Sequence, residues 1–149
     1  MAKDNTILNL MTEHHALIEV YLSIVQNKLN ESPEMIKEAF DNFKWQLEKH
    51  FFFEERSIFP SYKAGNKEIG GLIREIISEH IIMLQKVASL QEQLDRGETI
   101  DVSALQKILT AHREKEEKQL YPILDEEFTP YQKMVVAKKI GDIVMQSTF

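Results

Sequence analysis

Two stretches of this chain, residues 50–60 and 112–122, repeat one pattern that constrains its fold more than any other feature. Each stretch reads histidine, three residues, two glutamates, four residues and a proline, with an aromatic residue directly before the proline. Positions four apart lie on the same face of an α-helix. The repeat therefore predicts two helices that each direct one imidazole and one carboxylate the same way, His50 with Glu54 and His112 with Glu116.

The remaining chain favours an all-α fold. Apolar residues recur at helical spacing in four long segments, and no segment alternates in the manner of a strand. The first helix is expected from about residue 5 to 29, and the second from Pro33, capped by Ser32, toward Pro60. The third ends near Asp95, and the fourth begins after the cap Asp101. Short connections predict an antiparallel up-down-up-down four-helix bundle, in one domain of residues 1–149.

A fifth, shorter helix is predicted from Pro130 to about Gln146. Its apolar residues are expected to cover one end of the bundle, and they are Val135, Val136, Ile140, Ile143 and Val144. Pro122 is expected to kink or end the fourth helix.

The first and third helices each place a histidine in an apolar stripe. His80 lies in the stripe of the third helix, and the first helix offers the adjacent pair His14 and His15. The residues three and four positions from His14 are all apolar, whereas those around His15 are mixed. His14 is therefore the preferred inward-facing histidine.

The histidines and glutamates of the four stripes predict a metal centre. A single core histidine is usually satisfied by one hydrogen bond. Two buried carboxylates also need positive charge, and no lysine or arginine shares these stripes. Burying an unpaired carboxylate costs several kcal/mol or forces its protonation, and cations remove that cost. Six ligands from four helices suit two ions better than one. The candidate ligands are His14, His50, Glu54, His80, His112 and Glu116.

The ligand types narrow the choice of metal. Imidazole and carboxylate without sulfur suit iron, and manganese or zinc can bind the same set. We expect each ion to take two histidines, with Glu54 and Glu116 bridging, and an oxo or hydroxo group between two iron ions in the Fe2+ or Fe3+ state. Glu55 and Glu117 lie one step off the stripes, so they are expected at the surface or oriented toward an imidazole N–H.

Composition excludes several other functions. The chain has no cysteine, which excludes disulfides, thiolate metal sites and thiol nucleophiles. The net charge of −6 argues against a nucleic-acid partner. No apolar run is long enough for a membrane span, and no hydrophobic signal region begins the chain. A cytoplasmic location is the resulting expectation.

These motifs resemble those of the hemerythrin-like, cation-binding domains of the His-His-Glu type. The resemblance covers nearly the whole chain and rests on Glu13-His14, on Ser78-Glu79-His80 and on the two repeats at residues 50–60 and 112–122. It implies a four-helix bundle that holds a non-haem di-iron centre bridged by Glu54 and Glu116.

The chain departs from the oxygen-carrying hemerythrins, which it resembles in fold. They use five histidines, two of them one turn apart on the third helix, where this chain has Ile76 and Leu84 around His80. Four histidines with two glutamates look more like the bacterial proteins linked to repair of iron centres under nitrosative stress. Those often carry a cysteine-bearing N-terminal module, and this chain has no cysteine.

The sequence and this resemblance leave three candidate functions for the chain. The first is a di-iron protein that binds or senses dioxygen or nitric oxide. The second is a di-iron enzyme or iron donor in oxidative or nitrosative stress defence, acting on peroxide or nitric oxide with a redox or iron-acceptor protein as partner. The third is a helical interaction module in which metal is structural or absent.

Overall fold

The computed structural model describes residues 6–63 and 65–147, with side chains described as far as residue 141. It is a bundle of helices packed against one another with a further helix at the C-terminal end, which confirms the predicted fold class. The helices are α1 (Ile7–Lys28), α2 (Pro33–Phe53), α3 (Lys67–Asp95), α4 (Ser103–Lys115), α5 (Tyr121–Glu127) and α6 (Pro130–Ser147).

The helix ends follow from local chemistry. Ser32 accepts a hydrogen bond from the Met35 amide at 3.3 Å and caps α2, whose first residue is proline. Asn66 caps α3 by accepting from two amides of its first turn. At the other end of α3, Gly97 has a φ of 75°, which glycine adopts without strain. The structure thus confirms the cap predicted at Ser32 and the predicted end of the third helix near Asp95.

Both repeats change from α-helix to π-helix at their first glutamate. The π-helical turns span Glu54–Ile58 and Glu116–Leu120, and the first is followed by a 3-10 turn at Phe59–Ser61. Each turn closes when the residue before the proline donates its N–H to a carbonyl five positions earlier, from Phe59 to Glu54 and from Tyr121 to Glu116. The next residue, Pro60 or Pro122, has no N–H and its ring crowds the carbonyl four positions earlier. Proline therefore explains why the helix widens there.

The π-turns refine two expectations about the helices. The second helix was expected to run as one element toward Pro60, but its α-helical part ends at Phe53. Pro122 does not stop the fourth helix, because the chain continues through α5 to Glu127. The change in hydrogen-bond pattern therefore begins at the glutamate rather than at the proline itself.

The apolar core is divided into two clusters. One cluster lies toward the start of α1 and includes Met11, Phe53, Ile76 and Leu120, and the other includes Ile18, Leu47, Met83 and Leu105. In α1, in α2, in α3 and in α4 with the π-turn that follows it, a buried histidine stands in sequence between a member of the first cluster and a member of the second. These histidines are His15, His50, His80 and His112. A polar layer therefore crosses the bundle between two apolar regions.

The last helix, α6, packs on the first cluster as predicted. Val136 and Ile140 are buried there, and Val135 is partly buried. The side chains of Ile143 and Val144 lie outside the described residues. Within residues 6–63 and 65–147, every helix is too short or too polar to cross a bilayer.

Candidate metal centre

The structure brings together five of the six predicted ligands. His50 lies in the last turn of α2, His80 lies midway along α3, and His112 lies in the last turn of α4. Glu54 and Glu116 each begin a π-turn, and both are 0% exposed. Among the described residues, only histidines form ion pairs with these two buried carboxylates, as the stripes of the sequence predicted.

The histidine that α1 contributes is His15, so the expectation that His14 faces inward is wrong. The buried face of α1 runs through Met11, His15 and Ile18. His14 is only partly buried, beside the rings of Phe53 at 5.2 Å and of His50 at 5.9 Å between centroids. Burial, aided by the charge of nearby His50, lowers the pKa of His14 to about 3.

The sequence favoured His14 because α1 is apolar on two faces. The stripe that contained His14 also contained Leu17, which is 42% exposed in the structure. The alternative stripe of Met11, His15, Ile18, Leu22 and Val25 is equally regular and is the buried one. The one sequence signal in favour of His15 was this second stripe, which has the same helical spacing.

The Nε2 atoms of the four histidines converge on the two glutamates. His50 and His80 place Nε2 at 3.1 and 3.2 Å from Oε1 of Glu54. His112 and His15 place Nε2 at 3.1 and 3.2 Å from Oε1 of Glu116.

The potential ligand atoms form two groups. One consists of Glu54, His80, His112 and Glu116, the other of His15, His50 and Glu116, and within each group the ligand atoms lie within 4.8 Å of one another. Each group thus holds two histidines, and Glu116 belongs to both.

Three of the four imidazoles are oriented by a carboxylate on their outer side. Nδ1 of His15 lies 2.6 Å from Glu117, and Nδ1 of His80 lies 3.1 Å from Glu55. These partners are the second glutamates of the two repeats, so their predicted orienting role fits the geometry. A carboxylate at Nδ1 fixes the ring and keeps the Nε2 lone pair directed at the centre.

The third orienting carboxylate, Glu79, was not identified from the sequence in this role. It accepts a hydrogen bond from Nδ1 of His112 at 2.7 Å and another from Nζ of Lys115. Burial works to raise the pKa of Glu79, but the hydrogen bonds from Lys115 and His112 outweigh it and lower that pKa. Glu79 precedes His80 in the chain yet orients the histidine of the neighbouring helix.

Tyr121 completes the inner layer. Its hydroxyl donates a hydrogen bond to Oε2 of Glu54 at 2.8 Å and lies 3.4 Å from Nε2 of His15. Burial, together with the charges of Glu116 and Glu54, raises the pKa of this phenol well above its usual value. Tyr121 is the aromatic residue before the proline of the second repeat, and its counterpart Phe59 stacks on His80 at 6.4 Å instead. The Tyr121 hydroxyl is therefore a neutral donor that holds the Glu54 carboxylate in place.

Six buried polar atoms of the centre have no hydrogen-bond partner among the described residues. They are Nδ1 of His50, Oε1 of Glu54, Nε2 of His80, Nε2 of His112 and both carboxylate oxygens of Glu116. An unsatisfied buried polar atom costs about 1–3 kcal/mol, and more when it is charged. Five of the six are the inward-facing atoms that a cation would bind, so the residues present fit a metal site.

Without metal, protons must neutralise the same charges. Burial alone lowers the pKa of His50, but the charge of Glu54 and contact with Glu116 outweigh burial and raise it to about 10. Burial alone would raise the pKa of Glu116. Contacts with Glu54 and with the imidazoles around it nevertheless hold that pKa well below its usual value. The centre is therefore built for positive charge, and metal binding is expected to displace protons.

A four-helix bundle with imidazoles and carboxylates from facing helices defines a helical metal-binding protein of the non-haem type. The family model described as the Hemerythrin HHE cation binding domain matches residues 5–124. The chain therefore belongs to the hemerythrin HHE family, whose domains bind metal ions, typically iron. Comparisons with curated proteins and with solved structures gave no significant match.

Replacing His15 by alanine is expected to lower the bound metal content, whereas replacing His14 should leave it unchanged. His15 has Nε2 in the centre and Nδ1 on Glu117, while His14 lies beside the centre and touches Phe53. The measurement is metal content of each purified variant after loading and desalting. Full loading of His15→Ala with loss in His14→Ala would restore the original expectation from the sequence.

Proposed function

We propose that this chain is a non-haem di-iron protein that binds or senses dioxygen or nitric oxide. The observation that carries the proposal is the convergence of unpartnered, buried nitrogen and oxygen atoms in two groups that share Glu116. Each group supplies two imidazoles, as expected for a pair of ions with similar surroundings. Glu54, within reach of both His50 and His80, is the second candidate bridge.

The donor set supports iron and a small exogenous ligand. Imidazole and carboxylate donors without sulfur are typical of non-haem iron. Six protein ligands shared by two ions leave positions free, and bound iron would supply the redox chemistry that dioxygen and nitric oxide require. A cavity reaches His15, His50 and His112 from the surface, so a small molecule has a route to the centre.

The proposal is tested by metal analysis and optical spectroscopy on protein purified without oxygen. We expect about two irons per chain and a spectrum that changes on addition of oxygen or nitric oxide and returns when the gas is removed. Protein reconstituted with zinc, which binds such ligands but has no redox chemistry, is the matched control. A colourless protein that takes up zinc but not iron would contradict the di-iron assignment.

A turnover function is the second candidate, and the same cavity favours it because its volume exceeds that of a diatomic gas. In that case the centre would act as an oxidase, peroxidase, nitric oxide reductase or iron donor in stress defence, with a redox or iron-acceptor protein as partner. Repeated consumption of peroxide or nitric oxide in the presence of an electron donor would distinguish this function. Binding that stops after one equivalent would support binding or sensing instead.

A further inference from the structure

A cavity of about 230 Å³ adjoins the centre between α1, α2 and α4. Its inner wall includes the imidazoles of His15, His50 and His112, and exposed residues such as Ser23 and Gln106 at its rim open it to solvent. His80 and Glu54 do not line it. The cavity therefore approaches the centre from one side, next to the group formed by His15 and His50.

The size of the cavity exceeds what a diatomic ligand needs. A water molecule occupies about 30 Å³ in the liquid, and a cavity of about 150 Å³ lined by leucine, isoleucine and phenylalanine holds benzene. The side walls here have the same character and consist of Ile18, Leu22, Leu47, Phe51 and Leu109. Such a space fits a substituted ring or a short chain.

The charges at the rim select a neutral ligand. Arg113 is the one lysine or arginine that lines the cavity among the described residues, and it already forms an ion pair with Glu19. A second carboxylate, Glu117, lies 3.8 Å from its Nε atom. An anion would have to displace Glu19 from Arg113. A cation would find the Glu19 carboxylate already paired with Arg113. Ser23, Thr110 and Gln106 instead offer neutral hydrogen-bonding groups.

We propose that this cavity is a binding site for a neutral, mainly apolar organic molecule about the size of phenol, held beside the metal-binding histidines. The apolar part contacts the side walls, and a single polar group meets either the imidazole end or the polar rim. The binding itself requires only the cavity, whereas its role as a co-substrate or effector of the metal centre rests on the proposed function.

The test uses phenol as the probe and the full chain, first without metal. Calorimetric titration is expected to show one phenol site per chain, and Leu109→Trp is expected to weaken it about tenfold by filling the cavity. Ile108→Trp is the matched control, because Ile108 is the neighbouring, similarly half-buried residue but does not line the cavity. Ser23→Trp adds bulk from the exposed rim without disturbing the core, so it tests the site even if Leu109→Trp folds poorly.

A second measurement locates the probe relative to the centre. In protein loaded with Mn²⁺, the proton signals of bound phenol are expected to relax much faster than in metal-free protein, and Ser23→Trp should remove the effect. Phenol binding that ignores Leu109→Trp and Ser23→Trp alike would overturn the proposal, even if two metal ions load normally. Phenol binding that responds to these variants in a chain that takes up no metal would support the cavity while refuting the metal function.

Discussion

Replacing Glu54 and Glu116 together by alanine is expected to reduce bound iron from about two ions per chain to a trace. Both carboxylates are completely buried, and no described residue forms a hydrogen bond with their inward oxygens. Without them four imidazoles would remain as donors, with no anionic charge in the inner layer to offset two divalent ions. The measurement is metal content and the optical bands of the iron-loaded protein.

The matched control is the pair Glu48→Ala and Glu114→Ala. These glutamates lie two residues before His50 and two residues after His112, and both are exposed. They remove the same formal charge from the same helices without touching the centre, so iron content should remain unchanged. Equal iron content in the two double variants would refute the assignment of the centre.

Single glutamine variants separate the two carboxylates while preserving their volume. Glu116 belongs to both groups of potential ligands, whereas Glu54 belongs to one. Glu116→Gln is therefore expected to weaken the binding of both ions strongly. Glu54→Gln is expected to weaken the ion near His80 and His112 more than the ion near His15 and His50. Equal and small effects of the two variants would contradict the shared role of Glu116.

Features that depend on local sequence were largely predictable. Ser32 followed by Pro33 marks a helix start because a hydroxyl cap and a fixed φ act within one turn, and Gly97 marks an end for an equally local reason. The site residues His50, Glu54, His112 and Glu116 followed from spacing alone, since residues four apart share a face. Their convergence was inferred from the cost of burying charge without a partner.

Features that depend on how helices face one another were not predictable in the same way. The choice between His14 and His15 required the rotation of α1 about its axis, which two apolar faces left undetermined. Glu79 orients a histidine on another helix, and Tyr121 reaches Glu54 across the bundle. Such partners become visible only when the helices are packed, because no spacing within one helix encodes them.

The second large effect is expected in thermal stability. Removing metal with a chelator should lower the melting temperature by roughly 8–16 °C, because a ligand present at 1,000 times its Kd stabilises by about 4.1 kcal/mol and a domain of this size shifts by about 2–4 °C per kcal/mol. The unpartnered atoms of Glu54 and Glu116, which the ions would satisfy, become costly again when metal leaves. The measurement is a melting curve by circular dichroism with and without chelator.

The variant lacking both glutamates decides what such a shift means. Glu54→Ala with Glu116→Ala is expected to hold no metal at the centre, so its melting temperature should be insensitive to chelator even if loss of the carboxylates lowers the starting value. A wild-type melting curve that ignores metal would point to the third function, a helical interaction module. A shift of equal size in wild type and variant would mean that metal stabilises the chain at some other site. A shift confined to the wild type would mean that metal stabilises the chain through the buried carboxylates. The stabilising metal would then be the one bound in the polar layer between the two apolar clusters.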